Sequence, residues 1–146
     1  MRENSFEAYD VMKAISRDGG ESWEGVYRTP ITAGHRPTVG YLNDGRVMVT
    51  YRFVTCYTPV EGSVSIGLHN TFLTILKAEE LTRTERQGTY YKTMPLDYDR
   101  NEKPDTGYTG WVQFEDGEIY VVNYIKDDAS KAQIRGYSFY PNDIIL

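Results

Sequence analysis

Leu42-Asn43-Asp44-Gly45-Arg46-Val47-Met48-Val49 returns 72 residues later as Phe114-Glu115-Asp116-Gly117-Glu118-Ile119-Tyr120-Val121. Each copy sets an Asp-Gly pair between two apolar runs. That is a strong short-range signal for a β-hairpin, because glycine accepts the positive φ that tight turns require. Leu42 falls on Phe114, Val47 on Ile119 and Val49 on Val121. A third strand follows in each copy, predicted over 70–77 and 131–140, and only the first copy has a fourth, over 89–98. Four-stranded antiparallel units repeated in series are the pattern of propeller blades.

Outward from the repeat, alternating Tyr and β-branched residues broken by Gly, Asp and Asn predict strands over 11–17, 23–31, 36–42, 46–52, 107–114 and 118–125. The stretch 53–69 holds Gly, Pro and Ser and reads as an ordered loop, and 78–88 as a polar loop or one short helical turn. The count is nine strands and almost no helix. The expected fold is all-β: a partial β-propeller of about two to three blades. It forms a single domain over 1–146, with the end of one blade in 1–33, a complete blade in 34–100 and an incomplete last blade in 101–146.

Composition narrows the function classes. The chain has 146 residues, 16 Lys+Arg against 21 Asp+Glu, and a net charge of −5. With no basic cluster, neither a nucleic-acid groove nor an anionic membrane surface is expected as partner. No run of apolar residues is long enough to predict a membrane span, and the first residues lack the apolar segment of a signal peptide. A single cysteine, Cys56, excludes an internal disulfide framework and any multi-cysteine metal site, and it reads as inert. No cofactor and no metal is expected. Aromatic residues reach 14% of the chain, with 13 Tyr. Flat aromatic faces suit sugar rings, although cross-strand packing accounts for most of these tyrosines.

Ser16-Arg17-Asp18-Gly19-Gly20-Glu21-Ser22-Trp23 fits the spacing Ser-x-Asp-x-Gly-x-Ser/Thr-Trp. Asp18 can accept hydrogen bonds from turn N–H groups, Gly20 tolerates positive φ, and Trp23 can pack at the blade edge. The motif resembles the Asp-box, or bacterial neuraminidase repeat, of sialidase-like six-bladed β-propellers. There it is a structural device on the rim, a role the resemblance gives to Ser16, Asp18, Gly20 and Trp23. Two further segments resemble the same family. The run His35-Arg36-Pro37 resembles its Arg-x-Pro first strand, and Asp105-Thr106-Gly107-Tyr108-Thr109-Gly110-Trp111 its C-terminal Tyr-Ser/Thr strand. The resemblance spans most of 9–140.

The resemblance implies that first strands line the axis and that their starting residues face a substrate. The 72-residue shift places Arg36 on Tyr108, so both should look into one mouth from neighbouring blades. An arginine at the first position would help bind a sugar carboxylate, and the tyrosine would attack the anomeric carbon. His35, Asp105 and Arg52 join as candidate substrate contacts. His35 either reaches the funnel or packs the turn, Asp105 contacts or orients a sugar hydroxyl, and Arg52 pairs with an acid such as Asp105. The family's third-strand arginine has no counterpart in Leu68-His69-Asn70-Thr71-Phe72. Two readings therefore stand. One is part of a sialidase-type exo-acting glycoside hydrolase, which this C-terminal portion alone would leave inactive. The other is a non-catalytic carbohydrate-binding propeller with a degenerate site. The partner is a glycan in both.

The remaining residues have structural readings. Trp111 should pack between blades. Glu79, Glu80, Arg83, Glu85 and Arg86 read as a solvated loop. Asp97, Asp99, Asp127 and Asp128 lack EF-hand spacing and read as turn caps. Nine strands cannot close a ring, and open strand edges favour self-association.

Overall fold

Both Asp-Gly turns close hairpins in the computed structural model, which describes residues 10–54, 58–60, 63–65 and 67–144. The turns match in detail. Leu42 N–H donates to Arg46 O (2.8 Å) and Gly45 N–H to Leu42 O (2.9 Å); Phe114 N–H donates to Glu118 O (2.8 Å) and Gly117 N–H to Phe114 O (3.0 Å). Asp44 Oδ1 and Asp116 Oδ1 each accept the amide two residues on, at 3.0 Å. The repeated sequence is thus a repeated structure.

The chain is all-β and every strand pairing is antiparallel. Strands β1 (Met12–Ile15) and β2 (Glu24–Arg28) form a first, two-stranded sheet. β3 (Gly34–Tyr41) and β4 (Val47–Val54) open the second. A small separate hairpin follows, β5 (Thr58–Val60) with β6 (Ser63–Ser65). The second sheet is completed by β7 (His69–Leu76) and β8 (Tyr91–Tyr98), in the order β3-β4-β7-β8. The third is β9 (Thr106–Gln113), β10 (Ile119–Ile125) and β11 (Gln133–Phe139), in the order β9-β10-β11. This arrangement is consistent with a partial propeller, and the described sheets do not close on themselves.

The loop expected over 53–69 is corrected. β4 continues to Val54, opposite His69, and the β-branched residues Thr58, Val60 and Val64 lie in the extra hairpin. Cys56 lies outside the described residues. The 78–88 stretch holds one 3-10 turn, Ala78–Leu81. It is not wholly solvated: Glu80 is buried, where Tyr90 N–H donates to its Oε1 (3.3 Å) and Lys13 Nζ to its carbonyl (2.9 Å).

Every residue of the run Val47–Tyr51 is buried, because β4 is covered on both faces. Val47, Val49 and Tyr51 meet Val11 and Ile31 from the first sheet's side. On the other face Leu42, Met48, Leu73 and Ile75 meet Ile119 and Val121 of the third sheet. Full burial of such side chains contributes about 1.5–3 kcal/mol each. Gly40 allows the close approach of the sheets, since a Cβ there would lie 2.8 Å from the Trp111 ring. Trp111 therefore packs between sheets, as its position in the strand predicts.

Between this apolar layer and the starts of β3 and β9 lies a buried polar layer. Thr50 Oγ1 donates to Thr109 Oγ1 (2.8 Å), and Thr38 Oγ1 to Thr109 O (2.6 Å). Asn123 Nδ2 donates to Thr71 Oγ1 (2.6 Å) and Thr106 Oγ1 (2.8 Å), while Tyr137 OH donates to Asn123 Oδ1 (3.0 Å). These bonds fix the two sheets in orientation as well as in contact, because a buried polar group without a partner is costly.

Candidate functional site

Arg36 and Tyr108 occupy matching defects. His35 to Thr38 of β3 stands opposite Arg52 to Thr50 of β4, so β3 carries one extra residue there. Gly107 to Gly110 of β9 stands likewise opposite Tyr124 to Val122 of β10. Arg36 and Tyr108 lie inside these bulges with φ of 52° and 54°. A side chain with a Cβ at such φ costs about 1–2 kcal/mol, and bulges re-aim side chains out of the normal alternation. The two residues meet. Arg36 Cζ lies 4.2 Å from the centroid of the Tyr108 ring, and Arg52 Cζ lies 5.9 Å from it. Tyr108 is 55% exposed, so its ring is open to solvent beside the guanidinium of Arg36.

Asp105 and Tyr124 complete the mouth. Tyr124 OH donates to Asp105 Oδ1 at 2.6 Å, and its ring lies 5.7 Å from that of Tyr108. Burial, then the bond to Asp105, pushes the Tyr124 phenol up to about 12, so it remains a neutral donor. Arg52 Nη1 stands 3.8 Å from the same Asp105 oxygen. The loop carrying Asp105 is held by buried Asp99, whose carboxylate accepts the amides of Asn101 (3.0 Å), Asp105 (2.9 Å), Lys126 (3.3 Å) and Asp127 (2.9 Å). Asp127 is held by Arg100 and Arg135, which keep its carboxyl well below the usual range. Asp99 and Asp127 thus cap and brace the connections, as expected; Asp97 does not cap a turn but lies in β8, where its Oδ2 accepts from Arg135 Nη1 (2.7 Å) and Tyr137 OH (2.7 Å) across to β11. Among the described residues no group of three or more His, Cys, Asp or Glu side chains could hold a metal.

His69 lies beneath the mouth, 4% exposed, and its Nδ1 has no hydrogen-bond partner. Burial, with the nearby Arg52 charge, lowers its pKa to about 4, so the imidazole is neutral at pH 7. The Arg52 Nε is also buried and without a partner. Gly107 lets Arg52 lie against the strand: its φ is +144°, and a Cβ there would sit 3.1 Å from Arg52 Nε.

Arg36, Arg52, Asp105 and Tyr108 therefore come together. His35 stands opposite Arg52 across β3 and β4, half-buried, with its Nε2 shielded from solvent. Tyr124 and His69 are additions. Tyr124 stands opposite Gly107, next to the bulge, a position that becomes legible only when the register is known.

The Ser16–Trp23 turn forms as its spacing predicts. Asp18 Oδ1 accepts from Ser16 Oγ (2.8 Å) and Ser22 N–H (2.9 Å), Ser22 Oγ donates to Oδ2, and Gly20 N–H donates to Ser16 Oγ (2.7 Å). These bonds lower the Asp18 pKa to about 2. Trp23 departs from expectation: it is 66% exposed and lines an open groove instead of packing at an edge, because nothing among the described residues covers it there. Comparison of the chain with family models, with curated proteins and with solved structures found no match.

Proposed function

We propose that the chain forms part of a sialidase-like, glycan-active propeller whose Arg36–Tyr108 mouth recognises an acidic sugar. The observation that carries this reading is the stacking of Arg36 on Tyr108 from equivalent bulges of adjacent sheets, with Arg52 on the same ring. A guanidinium fork suits a carboxylate, and an exposed phenol face suits the apolar side of a sugar ring. Backbone strain at both positions supports a functional role, since packing alone would not select Arg or Tyr at positive φ.

Hydrolysis is the fuller version of the reading, with Tyr108 as nucleophile toward the anomeric carbon. It requires a carboxylate to take the Tyr108 proton. Asp105, the carboxylate beside the ring pair, accepts a hydrogen bond from Tyr124 OH instead. That favours binding without cleavage by the residues described here.

The test is a titration of the chain with N-acetylneuraminic acid, followed by NMR. Amide and side-chain shifts at Arg36, Arg52 and Tyr108 are expected, absent with galactose and lost in Arg36→Ala. Equal response to both sugars, or none to the acidic one, would overturn the reading. Turnover of a fluorogenic sialoside by the wild type, abolished in Tyr108→Phe, would establish the hydrolytic version.

A further inference from the structure

The outward positions of β9, β10 and β11 carry no charge, in a chain that is 25% charged. Val112, Tyr120, Val122 and Ile134 stand exposed there, Ile134 at 78%. An apolar face of this kind, charged at the end where Ser138 Oγ donates to the Glu118 carboxylate, marks an interaction surface.

The molecule itself shows what fits this face. The 72-residue repeat makes Val112, Phe114, Tyr120 and Val122 equivalents of Gly40, Leu42, Met48 and Thr50. Of these, Gly40, Leu42 and Met48 pack on Trp111, Ile119 and Val121 of the third sheet, and Thr50 bonds to Thr109. Moving back by the same repeat, the receiving residues Thr109, Trp111 and Val121 become Pro37, Val39 and Val49. Those three line an open groove of about 710 Å³ between β3 and the β1–β2 sheet, walled further by Trp23 and Val26. Val39 is 61% exposed. Each molecule thus bears uncovered the outward half of an interface that it already makes once inside itself, and the β3 edge of the receiving half at Val39; Val49, behind that edge, is already covered by Val11 and Ile31. The side chains also compensate. The internal contact sets Gly40 against Trp111, and the uncovered pair sets Val112 against Val39, so that small plus large becomes medium plus medium.

We propose that this chain self-associates head to tail, the outward face of β9–β10–β11 of one copy seated on the β3 face and groove of a second copy. Such an interface is heterologous: the two patches differ, so association continues to a closed ring or an open chain. This inference does not depend on the sugar reading.

The test is sedimentation velocity on the 146-residue chain and two charge variants, Val39→Asp and Val122→Glu. Both sites are exposed, and a circular-dichroism melt checks that each variant still folds cooperatively. The wild type should show mass rising with concentration above that of one chain. Each variant alone should be monomeric, since every head-to-tail contact it could form includes its spoiled patch. An equimolar mixture should recover a heterodimer through the intact patches and stop there. A monomeric wild type at the highest soluble concentration would overturn the proposal. So would strong self-association of either variant alone, which would mean a symmetric patch or pairing of strand edges, or a mixture that stays monomeric.

Discussion

Arg36 and Tyr108 hold a left-handed backbone conformation that costs stability and that asparagine tolerates better. Replacing Arg36 by Asn should therefore stabilise the chain by about 0.5–1 kcal/mol in urea unfolding while abolishing the response to an acidic sugar. A loss of stability would mean that Arg36 acts as a structural brace. Gly107 presents the opposite case. Gly107→Ala sets a Cβ against Arg52 at positive φ, and a cost of about 1–3 kcal/mol is expected, with weakened sugar binding. Circular-dichroism melts and the NMR titration read both effects. His69 controls a pH dependence. Its folded pKa of about 4 lies below the unfolded value of 6.5, so between these limits the unfolded chain binds more protons. Stability must then fall as pH falls through that window, by about 2 kcal/mol between pH 7 and pH 5 from this residue alone. His69→Gln should flatten the urea-derived profile by that amount, and an unchanged slope would remove His69 as its source.

At the scale of elements, the polar layer between the second and third sheets positions the mouth. Asn123 serves Thr71, Thr106 and Tyr137 at once, from the centre of β10. Asn123→Ala leaves several buried polar groups without partners and should cost about 2–4 kcal/mol by denaturant unfolding. It should also broaden the NMR signals of Tyr108 if the layer holds the bulge in place. Much of this level was legible in the sequence. The Asp-Gly pairs fixed two hairpins, and the Ser16-x-Asp18-x-Gly20 spacing fixed a third turn down to its hydrogen bonds. The hairpin within 53–69 was not, because Gly, Pro and Ser masked two very short strands. Buried Glu80 was not legible either, since the hydrogen bonds from Lys13 and Tyr90 reach it from outside its own segment.

For the molecule as a whole, the 72-residue repeat carried the most information, because equal sequence positions became equal places in adjacent sheets. It placed Arg36 with Tyr108. It could not supply Tyr124 or His69, which join the mouth through register and burial, with no residue-type signal of their own. Everything functional depends on whether the two bulges face one another in solution. The most direct measurement is a proton NOE experiment between the Arg36 side chain and the Tyr108 ring. Cross-peaks are predicted, together with an upfield ring-current shift of the Arg36 δ-methylene that vanishes in Tyr108→Leu. Random-coil shifts for Arg36 with no cross-peak to Tyr108 would contradict the shared mouth.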